Sequence, residues 1–263
     1  METIEHIIQQ PTKRTHETPI LCQHGAWHGA WCWQLWLDYF ASLGYETHAI
    51  SQPGHGKSSM NKRHINQYSF AEYVDTLAAQ IETISPKPVV VGHSLGGAIV
   101  QKYLEQHQLP GAVLLATLPS RGLIPMALRL LWRHPVSTLS GFLTLDSYRW
   151  LNTPELAHDL FLNPKTEIDL VAFQKQLVSE TFEIAFPLMF SFAKVNPAKT
   201  PVYVIAAEKD VIFTLDEERA TAQRYDAKLT IVENQAHNLM MEAAWKQVAD
   251  MIDGWMINDV ALP

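Results

Sequence analysis

The chain has 263 residues, 47% of them hydrophobic, which suits one α/β domain with an ample core. Its net charge of −7 gives no basic footprint for nucleic acid, and no run of roughly 18 or more apolar residues could span a membrane. The first residues lack the basic and apolar regions of a signal peptide, so we predict a cytoplasmic protein. The two cysteines, Cys22 and Cys32, are predicted to be reduced and buried. The twelve histidines have no metal-ligand spacing, so no metal site is predicted.

Short apolar runs predict the strands of the core. In chain order they are 19–22, 47–50, 89–91, 112–115, 202–206 and 229–232. Helical stretches alternate with these runs, and that alternation is typical of a parallel sheet covered by helices on both faces. One helix has an explicit start signal, because Ser69 followed by Glu72 forms a capping-box pattern. Apolar residues from Phe70 to Ile84 then recur at helical spacing.

The alternation breaks between about residues 119 and 198, where several short helices are predicted instead of strands. These helices are expected around 123–132, 136–144, 154–162, 167–178 and 180–192. Pro154 after Thr153 fits the first helical position behind its cap. We therefore predict a core of residues 1–118 and 199–263 and an inserted helical cap, or lid, of residues 119–198.

A cap of this kind closes over the carboxyl ends of the strands, excludes water and shapes a pocket. Most of its apolar residues must pack the cap itself. The few that we expect to face a site come from Leu123, Met126, Leu139, Phe142, Phe186 and Phe190.

The pentapeptide Gly92-His93-Ser94-Leu95-Gly96 lies between a predicted strand and a predicted helix. A strand, a G-x-S-x-G turn and a helix together predict a nucleophile elbow. Both flanks must be glycine because the turn is too tight for a side chain there. The turn lifts the Ser94 hydroxyl to the end of the strand and the start of the helix. Backbone N–H groups and the helix dipole favour developing negative charge at that position.

A serine hydroxyl is a poor nucleophile at neutral pH and needs a base. In a strand–turn–helix context the partners follow in the order serine, acid, histidine. The acid is expected in the loop after strand 202–206, which favours Asp210, with Glu208 and Asp216 as rivals. The base is expected after the last strand, where the last histidine of the chain, His237, is found. We predict that His237 takes the proton of Ser94 and that Asp210 holds its ring in one tautomer.

An oxyanion hole needs two preorganised N–H donors. We predict that one is the N–H of Leu95, which follows the nucleophile. The other is the N–H of Ala26, in the loop after an early strand, where Gly25 lets the backbone approach closely. Three histidines of these loops are interpreted as hydrogen-bonding braces rather than proton-transfer groups: His24, His28 and His93.

With these residues in place, the chain resembles the α/β-hydrolase superfamily along nearly its whole length. The resemblance is carried by HGAW at 24–27, PGHG at 53–56, GHSLGG at 92–97, Asp210 and His237. It implies an eight-stranded, mostly parallel sheet with a helical cap, a Ser–His–Asp triad and no cofactor. The chain resembles lipase- and esterase-like bacterial hydrolases and the plant methyl-esterase group. The repeat of HGAW at 28–31 carries the resemblance to the plant group.

Other reactions of the superfamily fit the residues less well. Hydroxynitrile lyases have Thr where this chain has Gly25 and Lys where it has Asn238, and both departures count against cyanohydrin cleavage. Epoxide hydrolases and haloalkane dehalogenases use an Asp nucleophile, which Ser94 excludes. We therefore predict hydrolysis of a small to medium hydrophobic carboxylic ester through an acyl-enzyme.

Two alternatives remain open on the sequence. A thioesterase or C–C bond hydrolase on the same triad would use cap arginines to meet an anionic substrate, although solvated helix faces are the preferred interpretation of these side chains. The arginines concerned are Arg121, Arg129, Arg133 and Arg149. A ligand-binding protein that keeps the fold but has negligible turnover is the other alternative.

Overall fold

A computed structural model of the chain describes residues 2–61, 64–195 and 200–260. These residues form one sheet with the strand order β1-β3-β2-β4-β5-β6-β7. All neighbouring strands are parallel except β1, which runs antiparallel to β3. The strands are β1 His6–Gln9, β2 Ile20–Gln23, β3 Thr47–Ile50, β4 Val89–His93, β5 Ala112–Leu115, β6 Val202–Ala207 and β7 Lys228–Val232.

The α/β class and all six predicted strands are confirmed, with ends that differ by at most two residues. The expected number of eight strands is corrected to seven, because the sheet of the described residues has seven strands. Strand β1 was missed because it is a short edge strand with two partly buried and two exposed residues. Such a strand has no continuous apolar run, whereas the central parallel strands are buried on both faces.

Helices surround the sheet and fill the long connection between β5 and β6. They are α1 Gln34–Leu43, α2 Phe70–Ile81, α3 Leu95–Tyr103, α4 Ile124–Arg133, α5 Pro135–Thr144, α6 Pro154–Phe161, α7 Leu170–Gln176, α8 Ala185–Leu188, α9 Leu215–Arg224 and α10 Trp245–Asn258. The predicted capping box of α2 is present, because the side chain of Ser69 and that of Glu72 each accept a hydrogen bond from the other's backbone N–H.

Two hydrophobic clusters cover the two faces of the sheet. Leu21 and Val90 point into the first cluster, where Leu77 of α2 packs. Val91, on the opposite face of β4 from Val90, points into the second cluster, where Trp36 of α1 packs beside α10. The sheet is therefore covered by helices on both faces, as predicted, and only its strand ends are free to carry a site.

The region predicted as the cap contains α4 to α8 and no strand among its described residues. The Thr153 hydroxyl caps α6 with Pro154 in its first turn, as predicted. The single helix predicted over 180–192 is wrong, since this stretch holds one 3₁₀ turn and the four-residue α8. Pro187 lacks an N–H and clashes with the preceding turn, so a long helix cannot run through it. The proposed boundary between residues 198 and 199 lies outside the described residues.

Candidate active site

The turn between β4 and α3 has the backbone geometry of the predicted elbow. Ser94 has φ 53° and ψ −118°, a conformation that non-glycine residues keep only where the surroundings enforce it. A Cβ atom on Gly92 would lie 2.5 Å from the Gly96 carbonyl oxygen, and one on Gly96 would lie 2.5 Å from the carbonyl oxygen of Gln23. Both flanks of Ser94 therefore require glycine, as predicted, and the serine lies at the carboxyl edge of the sheet.

His237 and Asp210 form a buried pair in the loops after β7 and β6. The ring nitrogen Nδ1 of His237 is 2.7 Å from Oδ2 of Asp210, and both side chains are at most 2% exposed. The other carboxylate oxygen, Oδ1, accepts hydrogen bonds from the N–H groups of Ile212 and Phe213 at 2.7 and 3.1 Å. Because Nδ1 donates to the carboxylate, Nε2 of His237 is the acceptor nitrogen. This Nε2 is buried and has no hydrogen-bond partner in the described part of the chain.

The two rival carboxylates are used elsewhere. Glu208 accepts a hydrogen bond from the N–H of Asn234 and lies 3.5 Å from the Nζ atom of Lys209. Asp216, in the first turn of α9, forms an exposed ion pair with Arg219. Of the three acids, the structure brings Asp210 to His237.

The loop carrying Ala26 lies directly against the nucleophile. A Cβ atom on Gly25 would be 2.8 Å from the Cβ atom of Ser94, so only glycine permits this approach. Leu95 is the first residue of α3, where a backbone N–H has no intrahelical partner. The same cavity is lined by Ala26, Ser94 and Leu95. Both predicted N–H donors therefore belong to residues that lie beside the nucleophile.

The cavity over Ser94 has an almost wholly apolar lining from both core and cap residues. Its volume of about 190 Å³ is below the range of about 300–1,000 Å³ typical of sites for drug-sized ligands. Among the cap residues expected at the site, Leu123, Met126 and Phe142 line this cavity. The expectation that a few of the six face the site is therefore confirmed. The side chains of the other three lie mostly in solvent: Leu139, Phe186 and Phe190.

His24 and His28 brace the loop after β2. His24 donates from Nδ1 to the Gly25 oxygen at 2.7 Å and accepts from the Gln52 N–H at 2.9 Å. His28 donates from Nδ1 to the Ala26 oxygen at 2.8 Å and accepts from the Asn238 side chain at 3.0 Å. Burial away from water lowers the pKa of His28 to about 4, and burial also lowers the pKa of His24 well below its ordinary value. Both are neutral braces at neutral pH, in agreement with the prediction.

His93, which precedes Ser94, links the elbow to the histidine loop. Its Nε2 donates to the His237 backbone oxygen at 3.1 Å. Burial, reinforced by the neighbouring His237 and His28, lowers the pKa of His93 well below its ordinary value. The predicted bracing role of His93 is therefore confirmed, and this hydrogen bond ties the elbow to the loop of His237.

Sequence reasoning missed Glu180, a buried carboxylate of the cap that lines the cavity. It accepts a hydrogen bond from the Tyr73 hydroxyl at 2.7 Å and lies 3.1 Å from Nε2 of His55. Burial alone would lower the pKa of His55, but the charge and hydrogen bond of Glu180 raise it above its ordinary value. No local pattern indicates this contact, because Glu180 and His55 are far apart in sequence.

The four cap arginines are not part of the described cavity lining. Arg129 pairs with Glu217 at 2.7 Å, Arg133 pairs with Asp159 at 2.5 Å, and Arg121 is exposed. Arg129 and Arg133 thus lie on α4 and form ion pairs, whereas Arg121 lies in the turn before that helix.

Three further observations concern the described ranges only. No helix in them is both long and apolar enough to cross a bilayer. No group of three or more His, Cys, Asp or Glu residues in them could hold a metal ion. Cys22 and Cys32 are both free and buried, as predicted.

Solved structures with the same architecture include an esterase from Thermogutta terrifontis. It is 16% identical, with a TM-score of 0.74 over 98% of this chain and 94% of that one. A bromoperoxidase from Bacillus anthracis is 15% identical, with a TM-score of 0.74 over 97% of this chain and 95% of that one. At these identities the similarity shows a shared fold.

Curated relatives include plant methylesterases. Methylesterase 2 of Arabidopsis thaliana is 25% identical over 237 residues, which cover 83% of this chain and 88% of that protein. The putative chloroplastic methylesterase 15 of the same plant is 34% identical over 86 residues, 32% of this chain, and the match spans only 19% of that protein. The model of the alpha/beta hydrolase family matches residues 20–251, which include the elbow and the loops of Asp210 and His237. The chain therefore belongs to the alpha/beta hydrolase family.

Proposed function

We propose that this protein hydrolyses carboxylic esters through an acyl-enzyme, with Ser94 as nucleophile, His237 as base and Asp210 as the residue that orients the base. The observation that carries the proposal is the buried hydrogen bond between His237 and Asp210. It fixes the ring so that Nε2 is free to accept a proton. The bond from His93 to the His237 backbone supports this arrangement, because it joins the histidine loop to the elbow.

The reaction follows from these positions. The Ser94 Oγ atom attacks the ester carbonyl carbon while its proton passes to Nε2 of His237. The N–H groups of Ala26 and Leu95 stabilise the oxyanion that forms on the carbonyl oxygen. His237 then protonates the departing alcohol. Water, deprotonated by the same histidine, cleaves the acyl-enzyme and regenerates the Ser94 hydroxyl.

The substrate class is inferred from the cavity. Its apolar lining favours a hydrophobic acyl or alcohol group, and its volume of about 190 Å³ favours a small to medium one. Residues 119–198 act as a cap in this proposal, since Leu123, Met126 and Phe142 supply part of the lining. The relative named Methylesterase 2 supports ester hydrolysis as the reaction type.

The test is hydrolysis of p-nitrophenyl esters from acetyl to palmitoyl, with Ser94→Ala measured beside the parent protein. We expect turnover of the short to medium esters and a loss on the order of a million-fold in kcat for Ser94→Ala. Ser42→Ala, at an exposed serine of α1, is the matched control and should keep full activity. Retention of most activity by Ser94→Ala would exclude the mechanism. Labelling of Ser94 by a fluorophosphonate without turnover of any ester would instead favour ligand binding alone.

A further inference from the structure

Trp27 has an unusual backbone conformation beside the proposed oxyanion donor Ala26. Its φ is 63°, in the left-handed region, which is a genuine outlier for a bulky residue. Such a conformation persists only where the surrounding structure enforces it. Trp27 is 8% exposed and lines the cavity over Ser94. Its surroundings therefore show what holds this loop in place.

Two hydrogen bonds hold Trp27, and both come from the cap. The Trp27 carbonyl oxygen accepts from the Val178 N–H at 3.0 Å. The indole Nε1–H donates to the Ser147 Oγ atom at 3.0 Å. The Trp27 ring also lies against the rings of Trp150 and Phe161, with centroids 5.9 Å away in each case. Backbone and side chain of Trp27 are thus both fixed by residues between β5 and β6.

Ser147 is itself held firmly. Its hydroxyl donates to the Glu180 backbone oxygen at 2.8 Å and accepts from the Glu180 N–H at 2.7 Å. With the indole bond, this uses the one donor and both acceptor positions of a serine hydroxyl. The acceptor for Trp27 therefore moves only when this part of the cap moves.

The core fixes the other half of the same loop. Gly25 lies against Ser94, and the Ala26 carbonyl oxygen accepts from Nδ1 of His28. Ala26 thus lies between a segment held by the core and a residue held by the cap. Resting on the proposed function, we infer that Trp27 is a positioning residue that couples the seating of the cap to the oxyanion hole, because it keeps the Ala26 N–H aimed at the substrate oxygen.

The oxyanion hole is therefore complete only when the cap is closed over the core. When the cap separates from the core, the bonds from Val178 and Ser147 are lost together, and Trp27 relaxes toward negative φ. The adjoining Ala26 N–H then turns from its position. Oxyanion contacts act in the transition state rather than in the bound substrate. Loosening Trp27 therefore lowers kcat and leaves KM nearly unchanged.

The experiment compares Trp27→Phe, Ser147→Ala and the double variant on one short p-nitrophenyl ester. Phenylalanine keeps an aromatic ring but removes the indole N–H. We expect each single variant to lose about tenfold in kcat, less than the roughly 10²–10³-fold cost of deleting a donor. The double variant should lose clearly less than the product of the two single losses, because both changes remove the bond from the indole N–H to Ser147. Ser147→Ala also removes the two bonds to Glu180, so the double variant should resemble Ser147→Ala. Trp132→Phe, on an exposed tryptophan of the cap, is the matched control.

A trifluoromethyl ketone inhibitor supplies the readout that a structural role alone would not move. It forms a tetrahedral adduct with Ser94, so its inhibition constant should rise in parallel with the loss of kcat/KM. Ser147→Ala changes the side-chain volume little, and its unfolding temperature is measured beside that of Trp27→Phe. This comparison separates a loss of kcat from a folding defect in Trp27→Phe.

Two outcomes would overturn the coupling. The first is a kcat within twofold of the parent in both single variants. The second is a change confined to KM, which would make Trp27 a wall of the cavity only. Either result leaves the proposed function intact, because the parent would still hydrolyse the ester through Ser94. Failure of the parent itself, or full activity of Ser94→Ala, would instead be a failure of the proposed function.

Discussion

The core and the cap use tryptophan in opposite ways. Trp33 and Trp36 of the core are fully buried against the sheet, whereas Trp132 of the cap is 87% exposed. The cap also exposes Val136 and Phe186. In the core, the apolar pattern is explained by burial under helices on two faces. In the cap, apolar side chains occupy both the face that lines the cavity and the outer face, so an apolar residue there does not indicate which way it points.

The two regions also divide the proposed chemistry. Every group to which we assign a reaction step lies in a loop, in a turn or on the first residue of α3, beyond the carboxyl ends of core strands: Ala26, Ser94, Leu95, Asp210 and His237. The cap supplies much of the lining of the cavity above Ser94 and the two bonds to Trp27. Changes in the core should therefore affect catalysis and stability strongly. Changes in the cap should mainly affect substrate preference, except where they break the bonds to Trp27.

After Ser94 itself, the largest effect is expected at the pair of Asp210 and His237 in the core. Asp210→Asn should lower kcat by about 10⁴-fold, because the amide no longer fixes the working tautomer of His237. The measurement is steady-state hydrolysis of a p-nitrophenyl ester. Asp216→Asn, at the exposed start of α9, is the matched control and should remain fully active. A loss of less than tenfold in Asp210→Asn would exclude Asp210 as the orienting acid.

Stability should distinguish the two kinds of tryptophan. Trp36→Ala should lower the free energy of unfolding by about 3–5 kcal/mol, because it leaves a cavity in the core. Trp132→Ala should change it by less than about 0.5 kcal/mol, as for other exposed positions. Urea unfolding followed by circular dichroism measures both. Equal destabilisation by the two variants would show that the outer face of the cap is covered in solution.

The buried braces of the core predict how stability depends on pH. Burial lowers the pKa of His28 from 6.5 to about 4. Between these values the unfolded chain binds a proton that the folded chain does not, so stability falls as the pH decreases through this window. His28 alone accounts for about 3 kcal/mol of that loss.

Replacement of His28 isolates its contribution to the pH dependence of stability. His28→Asn keeps a side-chain donor near the Ala26 oxygen, and we expect its free energy of unfolding to fall less steeply than that of the parent between pH 6.5 and 4. His107→Asn, at an exposed histidine, controls for the loss of any histidine. Identical pH dependence in His28→Asn and the parent would contradict the assignment of His28 as a neutral buried group.

The smallest effect is expected in the cap, where α4 offers two leucines on opposite faces. Leu130 is 4% exposed and lines the cavity, whereas Leu128 is 54% exposed. Leu130→Ala should lower kcat/KM for medium-chain esters by about tenfold, because it removes apolar contacts with the substrate. Leu128→Ala should change it less than twofold. Comparable losses in both variants would mean that the outer face of α4 also meets the substrate.

Local patterns were sufficient for much of the fold. The central strands, the capping box of α2 and the glycines of the elbow depend on residues within a few positions of each other. The sterics of the turn at Ser94 and the capping of α2 by Ser69 are therefore readable from the sequence. The order of serine, acid and histidine also predicted the pair of Asp210 and His237 that the structure brings together, and their catalytic role remains a proposal.

The α/β class, the elbow and the candidate triad can be predicted from the amino-acid order, because each follows from local sterics or from an ordered set of motifs. The pairing of β1 with β3, the contact of Glu180 with His55 and the inward face of α4 are instead set by the packing of the folded chain. The same packing holds Trp27 through Val178 and Ser147. These features depend on partners far apart along the chain, which no pattern of neighbouring residues encodes.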